Sequence, residues 1–280
     1  MDLVSIVIPS FNHEKFIKTA LQSIFNQTYR GPIEIILVDD GSSDQTINIA
    51  KKLKSESSLN FQIIEQQNQG AHAAINHGLQ GCNGNYVAIL NSDDSFDPKR
   101  IEVMIEALKV KNGSFAFSQV NYMDENGNIL KEQYEFANIL RKKQSEISNF
   151  PSIGYALLES NISISTGNFF FKKSLFNKVG PFSSLRHCHD WDFILRSLFY
   201  TEPLYIDLPL YNYRLHGQNT YKGLTKVAAH EGPLVISNYL NSTLNDNPEN
   251  ALAPCSKNWP LFHNYFINKL KYEQYYTWKF

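Results

Sequence analysis

Ile35-Ile-Leu-Val-Asp-Asp-Gly-Ser-Ser-Asp44 changes character at its midpoint, from four consecutive apolar residues to carboxylates, a glycine and hydroxyls. The apolar part continues back to Ile33 and reads as a buried strand. The polar part reads as a turn in which Ser43 or Asp44 caps a helix through Ile47, Ala50 and Leu53. Upstream, Val4-Ser-Ile-Val-Ile-Pro-Ser-Phe-Asn12 repeats the pattern, a short β-branched strand over Val4 to Ile8 ending at Pro9. It is followed by helical spacing of Phe16, Ile17, Ala20, Leu21, Ile24 and Phe25. Downstream, strands are expected at Phe61 to Ile64 and Tyr86 to Leu90. Helices follow from Ala71 to Leu79 and, opened by Asp97-Pro98, through Ile101, Ile105 and Leu108.

This alternation predicts an α/β fold, a mostly parallel sheet with helices on both faces. Ligands of such sheets bind beyond the carboxyl ends of the strands. The polar residues found there are Ser10 and Asn12, Asp39 and Asp40, Asn68, and Asn91 to Asp94. They therefore converge in space although they are scattered in sequence. After residue 112 the rhythm weakens. Strands are expected at Phe115 to Val120, Gly167 to Phe171 and Tyr211 to Leu215, a hairpin turn at Asn126-Gly127, and a helix from Asp190 to Tyr200. Residues 136 to 160 read as helical in parts.

Composition bounds the function. The 280 residues carry 26 Lys+Arg against 27 Asp+Glu, a net charge of -1, which argues against a dedicated nucleic-acid binder. With 42% hydrophobic residues the chain is globular rather than disordered. Its three cysteines, Cys82, Cys188 and Cys255, form neither a disulfide framework nor a Cys-x-x-Cys knuckle. Met1-Asp2-Leu3 lacks the basic start of a signal peptide, and no apolar run is long enough to span a bilayer. A cytoplasmic protein is expected.

Several residues carry candidate chemistry. Asp93 and Asp94 are adjacent carboxylates at a strand end, a pairing that a divalent cation relieves, since Mg²⁺ and Mn²⁺ take hard oxygen ligands. The plain alternative is a solvated turn and helix cap. Asp39 and Asp40 exceed what capping needs, and one of them could accept from a base N–H or a ribose hydroxyl. Asn68-Gln-Gly70 is a turn or a ligand loop. Asp190, within Cys188-His-Asp-Trp-Asp192, is a general base or a helix-dipole carboxylate. His216 follows the last strand and could reach a metal or a diphosphate.

Taken in order, these segments resemble glycosyltransferase family 2, with its GT-A fold. The matching text is Val4 to Asn12, Ile35 to Asp44, Asn68-Gln-Gly70, Asn91-Ser-Asp-Asp94, His189-Asp-Trp-Asp192 and Tyr213-Arg-Leu-His216, covering roughly residues 3 to 220. The resemblance implies inverting transfer of a sugar from a nucleoside-diphosphate sugar, UDP first among the candidates, to a saccharide or lipid-linked saccharide acceptor. Surface polysaccharide or glycoconjugate assembly is the implied setting. Residues 1 to 111 would hold the nucleotide sugar and 112 to 220 the acceptor, with 221 to 280 a helical, aromatic-rich tail. Pro9, Ser10, Phe11, Asn12, Asp39, Asp40, Asn68, Gly70, Asn91, Ser92 and Asp93 would line the donor site. Asp93, Asp94 and His216 would hold Mn²⁺ or Mg²⁺. Asp190 would be the base, with His189 and Trp191 on the acceptor side. Three positions depart from the family pattern: Asn91 stands where Asp is usual, His189 where Glu is common, and Ile75 where Arg is frequent. His72 or Arg214 would then supply positive charge near the donor.

Two alternatives stay open on the sequence: a non-catalytic nucleotide-sugar-binding subunit of a larger synthase, and a nucleotidyltransferase, which lacks here a basic, glycine-rich triphosphate loop. The tail carries Phe262, Tyr265, Phe266, Tyr272, Tyr275, Tyr276 and Trp278 with Lys257, Lys269, Lys271 and Lys279. Its aromatic stripe is expected to pack on the catalytic domain; the competing expectation is peripheral contact with the inner face of a membrane.

Overall fold

A computed structural model describes residues 1–131, 134–217, 219 and 224–276. The first half alternates as the apolar runs require: β1 (Val4–Ser10), α1 (Ile17–Phe25), β2 (Ile33–Asp39), α2 (Thr46–Glu56), β3 (Asn60–Glu65), α3 (Ala71–Gln80) and β4 (Tyr86–Ile89). After β5 (Ser95–Phe96) and α4 (Arg100–Val110) come β6 (Phe115–Met123), α5 (Glu135–Ser145), α6 (Ile153–Glu159), β7 (Phe170–Lys172) and α7 (Lys173–Val179). Then follow α8 (His189–Ser197), β8 (Leu204–Arg214), α9 (Thr225–Asn245) and α10 (Pro260–Leu270).

All eight strands form one sheet in the order β3-β2-β1-β4-β7-β6-β8-β5. β1 pairs in parallel with β2 and β4, and β2 with β3. β7 runs antiparallel between β4 and β6, so the sheet is mixed in its second half. Alternate residues of each strand feed opposite faces. Val7, Ile36, Val38, Val87 and Ile89 pack with α3, α6, α8, α9 and α10. Ile6, Ile8, Ile35, Leu37 and Ala88 pack with α1, α2 and α4 on the other face.

Where a strand was expected over Gly167 to Phe171, Thr166–Asn168 is a single 3-10 turn capped by the Ser165 hydroxyl, and the strand begins at Phe170. The cause is Asn168, fully buried, whose amide donates to the Ser118 and Ser163 carbonyls. The last strand starts at Leu204 rather than Tyr211, crossing register irregularities opposite Ser118, Gln119 and Val120. Asn126-Gly127 does turn the chain, with Gly127 at φ 88°. Among the described residues of the tail, α9 and α10 are helices, and α10 turns His263, Phe266 and Ile267 inward while Leu261 is 87% exposed and Tyr265 61%. Trp278 and Lys279 lie outside the described residues. No helix among the described residues is long and apolar enough to cross a membrane.

Candidate active site

The parallel strands β1, β2 and β4 end side by side, and their carboxyl-end loops are stitched together. Asn12, at φ 54°, donates its amide N–H to Ser42 Oγ at 2.8 Å, and its Oδ1 accepts from Ser43 N at 2.8 Å. Asp39 is buried and spends both oxygens on Ser42, at 2.8 Å to the amide and 2.6 Å to the hydroxyl. Asp40 holds the third loop by accepting from Gln66 Nε2 and from the amides of Gln69 and Gly70 at 2.8–2.9 Å. Gly70 opens α3 at φ 94°, a conformation a side chain would strain. Of the expected donor-side residues, Phe11 and Asn68 are exposed, Pro9 and Asn12 half-buried, and Ser10 is buried. Asp39 and Asp40 thus shape the loops from within.

The acidic pair divides its labour. Asp93 Oδ2 lies 2.9 Å from His216 Nε2 and 3.9 Å from His13 Nε2. Burial opposes its charge, but the His216 bond and the nearby His13 hold its carboxyl below the usual range. Asp94, expected beside it as a ligand, is turned into the protein. It accepts from Tyr211 OH, from Arg214 N at 2.7 Å and from Asn91 Nδ2 at 3.2 Å. Burial and the Asp93 charge push it well above the ordinary carboxylate range. His13, Asp93 and His216 each bring one ligand atom within 4.8 Å of the others, and Asp94 is outside that group. Ser92 stands behind it, its hydroxyl 2.7 Å from His13 Nδ1.

Arg214 is buried, with its guanidinium 4.8 Å from the Phe16 ring. It donates to the carbonyls of Asp93, Asp124 and Glu125 at 2.7–3.0 Å. Those bonds tie the β8 end to the acidic loop. Asn91 donates to Ser165 Oγ at 2.8 Å as well as to Asp94. Ile75 sits in the core of α3, and the His72 ring lies 6.5 Å from that of His189.

Asp190 lies in the first turn of α8 and is half-buried. Its Oδ2 accepts from Asn161 Nδ2 at 2.9 Å and its Oδ1 from Trp191 N at 2.7 Å, leaving each oxygen a further lone pair. His189 Nε2 meets Thr166 Oγ1 at 3.3 Å; burial lowers its pKa against the pull of the Asp190 charge. Trp191 donates its indole N–H to the Leu157 carbonyl at 2.7 Å and packs on the core. One loop therefore reaches both ends of the site: Asn161 and Thr166 face Asp190 and His189, while Ser165 faces Asn91. Ile164 within it adopts φ 74°, strained for a β-branched residue.

Glu231 of α9 fixes the entry to α8. Its carboxylate, 7% exposed, accepts the amides of Arg186, His187 and Cys188 at 2.8, 2.9 and 2.9 Å. Sequence reasoning missed His13, Asn161 and Glu231. Only His13 had a local signal, since it directly follows the Ser10-Phe-Asn12 strand end.

The chain is 28% identical over 218 residues to EpsH of Bacillus subtilis, an alignment covering 76% of this chain and 61% of EpsH. Among solved structures it superposes with TM-score 0.62 and 18% identity on Staphylococcus aureus TarS in complex with UDP-GlcNAc, covering 96% of this chain and 79% of that one. It superposes equally, at 0.62 and 16% identity, on the Pyrobaculum calidifontis mannosyltransferase PcManGT in complex with GDP-Man and Mn²⁺, covering 97% and 73%. At those identities the likeness is one of fold, and the fold is GT-A. The sequence profile of Glycosyl transferase family 2 matches residues 5–180, more than half of the chain, and the protein belongs to that family.

Proposed function

We propose that this chain is an inverting glycosyltransferase that moves a sugar from a nucleoside-diphosphate sugar to an acceptor hydroxyl, with Asp190 as base and Asp93 and His216 as metal ligands. The observation that carries the reading is the Asn161–Thr166 loop. It ties the Asp190 helix to the Asn91–Asp94 loop at the carboxyl ends of the parallel strands. A base and a charge-stabilising centre are thereby held on one frame, which an in-line displacement needs.

In the reaction, Asp190 takes the proton of the acceptor hydroxyl as its oxygen bonds to the anomeric carbon. The bond from that carbon to the diphosphate oxygen breaks, and the nucleoside diphosphate leaves on the opposite face. Asn161 and the Trp191 amide fix the rotation of the Asp190 carboxylate. The donor set at Asp93 and His216, one carboxylate and one imidazole, fits a divalent ion such as Mn²⁺. Such an ion, when bound, offsets the negative charge on the departing diphosphate. Asp94 and Arg214 hold the acidic loop in place from behind.

A UDP-sugar is the first donor to test, with residues 1 to 111 as the donor half and 112 to 220 as the acceptor half. Surface polysaccharide or glycoconjugate assembly is the setting we favour, at the cytoplasmic face. The inward residues of α10 support a packed tail. Liposome co-sedimentation of the full chain tests this, and binding lost on Leu261→Ser and Tyr265→Ser would instead favour membrane contact. The functional test is a panel of UDP-, GDP- and dTDP-sugars with and without Mn²⁺, scored for binding and for nucleoside diphosphate release. Metal-dependent release from one donor is expected. Binding without release across a broad acceptor panel would favour a non-catalytic subunit, and no binding would overturn the reading.

A further inference from the structure

We infer that His13 is a third protein ligand of the divalent ion, and that the two-imidazole, one-carboxylate site it completes selects transition-metal ions over Mg²⁺. The inference rests on the metal site proposed above. Among the described residues, His13, Asp93 and His216 form a group whose ligand atoms all lie within 4.8 Å of one another. Two ligands at about 2.1 Å on opposite sides of one ion are about 4.2 Å apart, so a small ring rotation closes the set.

The His13 ring is built into place. Its backbone N–H donates to Thr46 Oγ1 at 2.8 Å, and Asn12 before it takes the left-handed turn that carries the chain out of β1. Its Nδ1 lies 2.7 Å from Ser92 Oγ. With the Nδ1 proton on that bond, Nε2 keeps a lone pair on the side of Asp93. This is the arrangement in which metal-binding histidines are held by a partner on the other ring nitrogen. The His13 and His216 rings meet at 88° with centroids 5.9 Å apart, so neither covers the other. Phe16 closes the site beside both, 6.0 Å from His13 and 4.8 Å from His216. Asp93 and His216 side chains are 14% and 2% exposed while His13 is 21% exposed, placing His13 on the open side.

Donor chemistry gives the selectivity. Mg²⁺ prefers oxygen ligands and retains its waters, whereas imidazole nitrogens favour Mn²⁺, Co²⁺ and Zn²⁺ in rising order. A site with Asp93 and His216 alone would discriminate less. The simple alternative is that His13 only pairs electrostatically with Asp93.

The test is Mn²⁺ binding to the full chain, alone and with UDP, followed by electron paramagnetic resonance with Mg²⁺ as competitor. Electron spin-echo modulation counts the coordinated ¹⁴N nuclei. Wild type is expected to show two imidazole nitrogens and at least tenfold preference for Mn²⁺. His13→Ala should leave one nitrogen, weaken Mn²⁺ about tenfold or more, and leave Mg²⁺ binding nearly unchanged. Ser92→Ala should keep both nitrogens and weaken Mn²⁺ by about 10–100-fold. Thermal unfolding confirms that the variants are folded, and if His13→Ala is not, His13→Gln takes its place. One nitrogen in wild type, or Mn²⁺ affinity unmoved in the His13 variant while Asp93→Ala abolishes it, overturns the inference and leaves the two-ligand site standing. No Mn²⁺ binding by wild type, with or without UDP, removes both.

Discussion

Replacing Glu231 by Ala should loosen the entry to the Asp190 helix without touching the donor loops. The carboxylate accepts three amide N–H bonds at 2.8–2.9 Å, from residues directly preceding α8. A hydrogen bond to a charged group contributes about 1.5–3 kcal/mol, and a buried amide left without a partner costs about 1–3 kcal/mol. Arg186 is exposed, so water replaces part of the loss, and three bonds to one group are not additive. The net expectation is about 2–4 kcal/mol, or a Tm lower by roughly 3–7 °C for a chain of this size. Burial alone would raise the Glu231 carboxyl, but the amides of Cys188, Arg186 and His187 more than offset it and hold it below the ordinary value. A carboxylate lowered in the folded state stabilises above its unfolded pKa and loses that contribution as pH falls through the folded one. The gap between wild type and Glu231→Gln should therefore be full at neutral pH, begin to shrink only below the ordinary glutamate pKa of about 4.3, and close as pH falls through the lower folded value. Calorimetry at pH 7 and in steps down through the acid range, with donor-dependent turnover alongside, checks this. Turnover should fall while nucleotide affinity holds. A Tm and a turnover both equal to wild type at pH 7 would show that Glu231 does not hold the entry to α8.

Other substitutions separate neighbouring roles. Asp94→Asn should retain Mn²⁺ binding and cost no more than about 1–2 kcal/mol, because burial and the Asp93 charge already disfavour a second carboxylate there. Asp93→Asn should lose the ion, and the reverse pattern in a Mn²⁺ titration would exchange the assignments. Asn161→Ala should lower turnover about tenfold or more with donor KM unchanged, since it frees the Asp190 carboxylate to rotate; equal kcat would remove it from the site. His263 is buried between Tyr155 OH at 3.0 Å and Tyr276 OH at 2.8 Å, and burial lowers its pKa to about 4. The unfolded chain then binds the extra proton first, so stability should fall by up to about 3 kcal/mol as pH drops from 6.5 to 4. His263→Gln should flatten that limb in urea melts, and an unchanged slope would assign it elsewhere.

The sequence reading succeeded where one signal dominated. β1, β2 and β4 are nearly continuous apolar runs ending in polar loops, and their alternation with helices predicts the parallel β3-β2-β1-β4 part of the sheet. It failed where the signal was short or distant. β5 is two residues long, and β8 begins in Leu204-Tyr-Ile-Asp-Leu, whose mixed pattern and following Pro209 hide a strand crossing a register irregularity. Adjacent carboxylates cannot be told apart in a one-dimensional string. That Asp93 opens to His216 while Asp94 turns to Tyr211 is set by β8, more than a hundred residues on. Asn161 and Glu231 are ordinary polar residues in their own segments, and only the fold brings them to Asp190 and the Arg186–Cys188 amides.

In the proposed reaction Asp190 is the base of a sugar transfer whose donor is held by other residues. The most direct test pairs donor binding by calorimetry with acceptor-dependent nucleoside diphosphate release, in wild type and Asp190→Asn. Donor affinity should be unchanged and release should fall by about 10²–10⁴-fold, the contribution of a positioned base. Release at the wild-type rate in a correctly folded Asp190→Asn protein would contradict that role.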